Sequence, residues 1–195
     1  MARPSVREER TEAILDAFER CIARFGVEGA SLQRIADEAG LARALLRHHV
    51  GNREELIAVL ARRFADRTAA ETADFLAELP AEGRLQAMID ILFDARYASP
   101  DSEVIVAEAL IAAARTRPEL RGILLRWYDD FEAALAGELR AAYPAAAEDA
   151  VRTVATGLTG IYFNVDSLTS LEPPEALRVR ARAAAIRLIG TLGGA

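Results

Sequence analysis

Arg43, Arg47, His48, His49 and Arg53 crowd into eleven residues of a chain that holds no other histidine. A guanidinium offers a planar fork of donors that fits a phosphate or the edge of a guanine. Catalysis is harder to build from this set. On a helix, His48 and His49 point about 100° apart, so they cannot both face one metal ion. There is no Cys–His cluster and no glycine loop of the GxxxxGK type. The carboxylate pairs Glu8-Glu9, Glu54-Glu55 and Asp129-Asp130 read as solvated helix faces. No enzyme activity, cofactor or metal is therefore expected. The single Cys21, beside Ile22 and Phe25, excludes an internal disulfide and reads as a small core residue.

The elements that must hold these cations lie in residues 31–53, SLQRIADEAGLARALLRHHVGNR. Ser31 can cap a helix with its hydroxyl. Leu32, Ile35, Ala36 and Ala39 then recur at helical spacing on one apolar face. Gly40 supplies the left-handed conformation that ends this helix. Leu41, Leu45 and Leu46 restart an apolar face, with Arg43, Arg47 and His48 around it. The pattern predicts a helix-turn-helix motif over 31–50, in which the second helix enters the major groove of DNA and the first crosses the backbone.

Ile14, Leu15, Ala17, Gly26, Ser31, Ile35, Ala36, Ala39, Gly40, Leu46, His48 and the run Arg53-Glu54-Glu55-Leu56 extend the pattern on both sides. With them, residues 10–60 resemble the N-terminal domain of TetR-family transcriptional regulators, about a quarter of the chain. Departures are visible. Ala42 stands where the family usually has Ser or Thr, so the recognition helix lacks a side-chain cap. Ala44 replaces a frequent Gly, Arg47 a phosphate-touching Tyr, Ile22 an aromatic and Arg53 a Lys. The resemblance implies that Arg43 reaches base edges first, with Ala44 and Leu45 against thymine methyls. Ser31, Gln33, Arg47, His48 and Arg53 would hold phosphates and fix the register.

The net charge of −6 is unevenly spread: +1 over residues 1–53 and −7 over the rest, and all 24 basic residues are Arg. A local basic face suffices for phosphate contact, and an acidic remainder is repelled from the duplex. Hydrophobic residues make up 52% of the 195, enough for a substantial core. No apolar run is long enough to span a membrane, and MARPSVREER lacks an apolar signal segment, so a cytoplasmic location is expected.

The chain reads as all-α, with helices near residues 5–25, 31–39, 42–49, 52–78, 83–98, 102–115, 118–142, 146–170 and 174–192, broken by Pro and Gly. This predicts a helix-turn-helix domain over 1–51 and a larger helical ligand-binding and dimerisation domain over 52–195, joined by the long helix from Asn52. In the eighth helix one stripe runs Val151, Val154, Leu158, Ile161, Val165, Leu168, the seam of helix against helix. A second runs Thr153, Gly157, Gly160, Asn164, Ser167, small enough for another backbone or a ligand. The last helix carries Leu177, Ala181, Ala184, Leu188 and Leu192 on one side. The resemblance implies that these two helices pair with those of a second subunit, through Val154, Leu158, Ile161, Val165, Ala184 and Leu188.

The predicted body also mixes aromatics with polar groups, as a small-molecule pocket does. Phe93, Arg96, Glu108, Trp127, Phe131 and Asn164 are its candidate lining, with Asn164 foremost because a buried mid-helix amide must be hydrogen-bonded, either to a ligand or to an amide across the dimer seam. The expectation is thus a homodimeric repressor on a palindromic operator, released by a small, largely apolar ligand; release and repression come from the resemblance. The rival is an all-helical small-molecule-binding or enzymatic protein that does not bind DNA. The missing cap at Ala42 favours the rival, and Arg43, Arg47 and Arg53 oppose it.

Overall fold

The first turns set the geometry of everything that follows. Ser31 sits at φ −71°, ψ 155°, and its Oγ accepts the Arg34 N–H at 3.3 Å, so it caps the next helix as predicted. That helix stops at Gly40, at φ 65°, where the Leu41 N–H donates to the Ala36 carbonyl at 2.9 Å. Ala42 precedes the following helix with no side-chain cap. The fourth helix opens on a reciprocal box. Asn52 Oδ1 accepts the Glu55 N–H at 3.0 Å, and Glu55 Oε2 accepts the Asn52 N–H at 2.7 Å. Gly51 leaves space for that carboxylate: a Cβ there would lie 2.0 Å from Glu55 Oε2.

The structure is a computed structural model that describes residues 6–193. Its helices are α1 (Val6–Gly29), α2 (Leu32–Glu38), α3 (Arg43–Val50), α4 (Arg53–Glu78), α5 (Arg84–Leu92), α6 (Asp101–Ala113), α7 (Pro118–Ala142), α8 (Glu148–Asp166) and α9 (Glu175–Gly190). Short 3-10 turns cover Ala95–Tyr97, Thr169–Leu171 and Thr191–Gly193. The all-α architecture agrees with the sequence reading, and no strand occurs among the described residues. The predicted helix start at residue 5 and the outermost ends of both predicted domains lie outside the described residues. Two predicted helices are shorter than expected. The one over 83–98 ends at Leu92, because Asp94 Oδ1 accepts the Arg96 N–H at 2.9 Å and starts a 3-10 turn. The one over 146–170 ends at Asp166.

Two compact units result: residues 1–65 with 105–124, and residues 66–104 with 125–195. The division falls inside α4, α6 and α7, not at residue 51. In the first unit, Leu56, Ile57, Leu60 and Phe64 of α4 are buried, as are Ile14, Leu15, Phe18, Cys21 and Ile22 of α1, Ile35 of α2 and Leu46 of α3. Those helices cannot close a core without the first half of α4, hence the later boundary. Arg63 of α4 pairs with Glu12 at 3.0 Å and with Asp16, both on α1. Arg20 and Arg24 of α1 hold Glu38 of α2 at 2.6 and 3.1 Å. Arg117, at the turn before α7, pairs with Glu28 at 2.8 Å and Glu54 at 2.7 Å.

In the second unit the core is built from Met88, Ile89 and Phe93, Leu135 and Leu139 of α7, Val151, Val154, Leu158 and Val165 of α8, and Ala185 and Ile189 of α9. Arg84 ties its first turn to α7, donating to both oxygens of Glu138 at 2.6 and 2.8 Å. It also donates to the Leu76 and Leu79 carbonyls at 2.6 and 3.1 Å, at and just past the end of α4.

Candidate functional site

The helix-turn-helix presents its cations outward. Arg43, Ala44, Arg47 and His48 of α3 are exposed, while Leu46 and Val50 on the opposite side are buried. Leu45 is half-buried. Arg43 and Arg47 make no ion pair among the described residues. Their guanidiniums are free to meet an external anion. Ser31 and Gln33, on α2, are also exposed. The Ser31 hydroxyl accepts from Arg34 and keeps its own O–H to donate. Gln33 donates one amide hydrogen to Asp37 at 2.7 Å and keeps the other. His49 is half-buried, with an Nδ1 that finds no partner.

Arg53 departs from its expected role. It is 23% exposed; its Nη2 donates to the Val27 carbonyl and lies 3.4 Å from Glu28, and its Nη1 lies 3.5 Å from Glu54. Its guanidinium is already committed to joining the start of α4 to the end of α1, so it is not a free phosphate ligand. The residue that the sequence reading missed is its neighbour Arg117. That side chain is 11% exposed and bridges the same two carboxylates, holding the α6–α7 turn against the helix-turn-helix. Its hydrogen bond is the main reason that the Glu28 carboxyl titrates below its ordinary value. Nothing in local sequence marks Arg117, since its partners lie 63 and 89 residues upstream.

Charge separates between the units more sharply than along the chain. The first carries a net formal charge of +2 and the second −8. The excess of cations thus lies in the unit that holds α3.

The candidate ligand residues scatter. Trp127 and Phe131 of α7 do come together with Phe163 of α8, at ring-centroid distances of 5.2 and 5.3 Å. Phe131 also stacks on Tyr162 at 5.2 Å. All of these rings are half-buried. Burial pushes the Tyr162 phenol up to about 12, and its oxygen hydrogen-bonds the Ser99 side chain. Phe93, by contrast, is buried in the apolar core. Arg96 is exposed and chelates Asp94. Glu108 belongs to the first unit, on the exposed side of α6. Asn164 is exposed, so water can satisfy its amide, and the argument from a costly buried amide does not apply. A separate cleft of about 410 Å³ in the second unit is lined by Asp129, Asp130, Glu132, Arg140, Glu148 and Arg152 among others, none of them a predicted ligand residue. No cluster of metal-binding side chains occurs among the described residues, and no described helix is long and apolar enough to cross a membrane.

The proposed dimer stripe also needs correction. Val154, Leu158 and Val165 are 3%, 0% and 2% exposed and belong to the chain's own core. Ile161 and Leu188 are half-buried against it, and Leu188 fills the space over Gly157, where a Cβ would lie 2.6 Å from its Cδ2. Only Ala184 of that set is exposed. On α8 the open side carries Thr153, Gly160 and Asn164, the stripe of small residues. On α9 the buried residues are Arg178, Ala185 and Ile189; of the line that the sequence suggested, Leu192 is buried just past the helix end, Ala181 and Leu188 pack partly buried against the core, and Ala184 is exposed.

Residues 14–60 match the family described as bacterial regulatory proteins, tetR family. The HTH-type transcriptional repressor AcnR of Corynebacterium efficiens is 31% identical over 119 residues, 60% of this chain and 56% of that protein. The chain thus spans little more than half the length of this curated relative. A crystal structure of a transcriptional regulator from Rhodococcus shares the fold with a TM-score of 0.70 at 22% identity, covering 93% of this chain and 95% of that one. The multidrug binding protein EbrR, solved in complex with imidazole, gives a TM-score of 0.64 at 21% identity over 95% and 96% of the two chains. The capped α2, the glycine turn and the outward cations of α3 all lie inside residues 14–60, the segment that matches the helix-turn-helix domain of the tetR family of bacterial regulatory proteins.

Proposed function

We propose that the chain is a cytoplasmic transcriptional repressor that binds a palindromic operator as a homodimer and releases it when a small molecule occupies the second unit. One observation carries the DNA-binding reading: Arg43 and Arg47 stand exposed and unpaired on α3. In a chain with 30 carboxylates, unpaired arginines on one short helix are what a phosphate and base-edge reader requires. The name of the relative AcnR supports repression, and ligand release draws on the fold shared with EbrR. Ser31, Gln33, Arg47 and His48 would fix the phosphates, and Arg43, Ala44 and Leu45 would face the bases. The second copy would seat on the sides that the core leaves open, Thr153, Gly160 and Asn164 of α8 with Val179, Ala183 and Ile186 of α9. Selection of bound duplexes from a random pool, followed by a gel shift on the selected sequence, tests this. An enriched site with two inverted half-sites is the expected result. No enrichment over bulk duplex would leave a helical protein that does not read DNA.

A further inference from the structure

The helix-turn-helix is hung between two glycine joints. Gly26, at φ 67° and ψ 172°, breaks α1 just before its last three residues, and Gly51, at φ 76° and ψ −145°, separates α3 from α4. Glu28 lies between the first joint and Ser31, and Glu54 lies just past the second. Two arginines join these carboxylates. Arg117 reaches Glu28 at 2.8 Å and Glu54 at 2.7 Å, and Arg53 reaches the same two at 3.4 and 3.5 Å. Each cation thus touches both anions, in a closed ring of four ion pairs across the entry and exit of the motif. Arg53 belongs to α4, so only Arg117 brings an anchor from outside. Its own turn is fixed: Arg121 donates to the Ala114 and Arg115 carbonyls, both at 3.1 Å, and the Thr116 hydroxyl donates to the Ala113 carbonyl at 3.3 Å. All of these residues belong to the first unit.

We propose that Arg117 is a positioning residue for DNA recognition: without touching the duplex, it clasps both ends of the helix-turn-helix and holds α3 at the angle that base contacts require. Attraction to phosphates needs only cations near the backbone, whereas a binding constellation must be held to within about 0.5 Å. With the clasp gone, the two glycine joints let the motif tilt, and the base contacts suffer before the phosphate contacts do. This rests on the reading that α3 reads DNA, and it adds a residue 67 positions past the end of that helix to the reader.

Arg117→Met keeps the apolar stem and removes the fork of donors. The full-length parent and variant are titrated with the duplex selected from the random pool and with a scrambled duplex of the same length. Both are measured well below their melting temperatures, with affinities corrected for the active fraction. The variant should bind the selected duplex about tenfold more weakly, the scale of couplings from residues that touch no ligand. Its affinity for the scrambled duplex should stay within about twofold and its salt slope unchanged, because the phosphate contacts of α3 remain. Arg117→Lys, which keeps a cation between the two carboxylates, should recover part of the lost discrimination. Equal loss on both duplexes would overturn the proposal, and a salt slope lowered by about one would then make Arg117 a phosphate ligand. Arg117→Lys no better than Arg117→Met would overturn it too, since the ion pairs would not be the cause. A parent that selects no duplex overturns the DNA reading and this inference with it. A parent that selects one, which Arg117→Met binds equally well, overturns this inference alone.

Discussion

Arg43 and Arg53 lie ten residues apart and carry the same side chain, yet their surroundings assign them opposite work. Arg43 is exposed without an internal partner at the start of α3. Arg43→Ala should therefore relax base preference at one position of each half-site, a loss of about 1–3 kcal/mol of discrimination that selection on random duplexes would read. Unchanged preferences would assign the base contact elsewhere. Arg53 is tied to the Val27 carbonyl and to Glu28. Arg53→Ala should lower folding stability by about 1–2 kcal/mol in urea melts and leave the salt slope of DNA binding unchanged. A slope reduced by about one would return it to the phosphates. Sequence spacing put both cations among the expected DNA contacts. It could not show that the Val27 carbonyl, 26 residues upstream, already accepts one of them.

At the scale of elements, a helix has several faces, and periodicity does not say which one meets its own core. The boundaries of α7 were legible, because Pro118 fits a first turn and Pro144 cannot continue a helix. The early stops at Leu92 and Asp166 were not, because Asp94 and Ser167 divert backbone groups by short side-chain bonds that no apolar pattern records. In α8 both stripes were visible, but Val154, Leu158 and Val165 turned out to be buried within the unit. Leu158→Ala should accordingly cost about 2–5 kcal/mol of stability. Gly160→Trp, on the open side, should leave the chain folded but monomeric by light scattering. A folded monomer from the Leu158 change, with a dimer from the Gly160 change, would reverse the assignment of faces. Arg178 escaped notice because an Arg in an Arg-rich helix reads as solvated, although Ala185, Ile189 and Leu192 follow it at 7, 11 and 14 residues. The Arg117 bridge makes its own prediction. Interaction with Arg117 lowers the Glu28 carboxyl from its ordinary 4.5, so the stabilisation is complete above that value and is lost as pH falls through the lower folded value. Glu28 is largely exposed, so screening keeps the effect small. Arg117→Ala should weaken the fold near neutral pH, and the gap to the parent should narrow as falling pH protonates the Glu28 carboxylate. A gap that persists in acid would mean that packing, and not this ion pair, holds the α6–α7 turn.

For the whole molecule, the separation of +2 and −8 between the two units suits a protein that must touch DNA with one and keep the other clear of it. Binding should fall steeply with salt, as phosphate neutralisation releases counterions. The dimer should scatter light as about twice the 21.1 kDa chain, since a palindrome is read by two copies one helical turn apart. The regulatory reading makes a stricter demand, because it needs the two units, which share the chain of α4, α6 and α7, to respond to each other. Such coupling is a free energy, typically about 1–3 kcal/mol or roughly 5–150-fold, and it must act in both directions. If a small molecule weakens operator affinity by some factor, saturating operator must weaken that molecule by the same factor, measured through Trp127 emission. Arg117→Ala, by loosening the turn between α6 and α7, should shrink both factors together while sparing binding of that molecule to the DNA-free protein. A molecule that binds tightly in the second unit yet leaves operator affinity unchanged would exclude the switch, because a ligand with equal affinity for two states shifts neither.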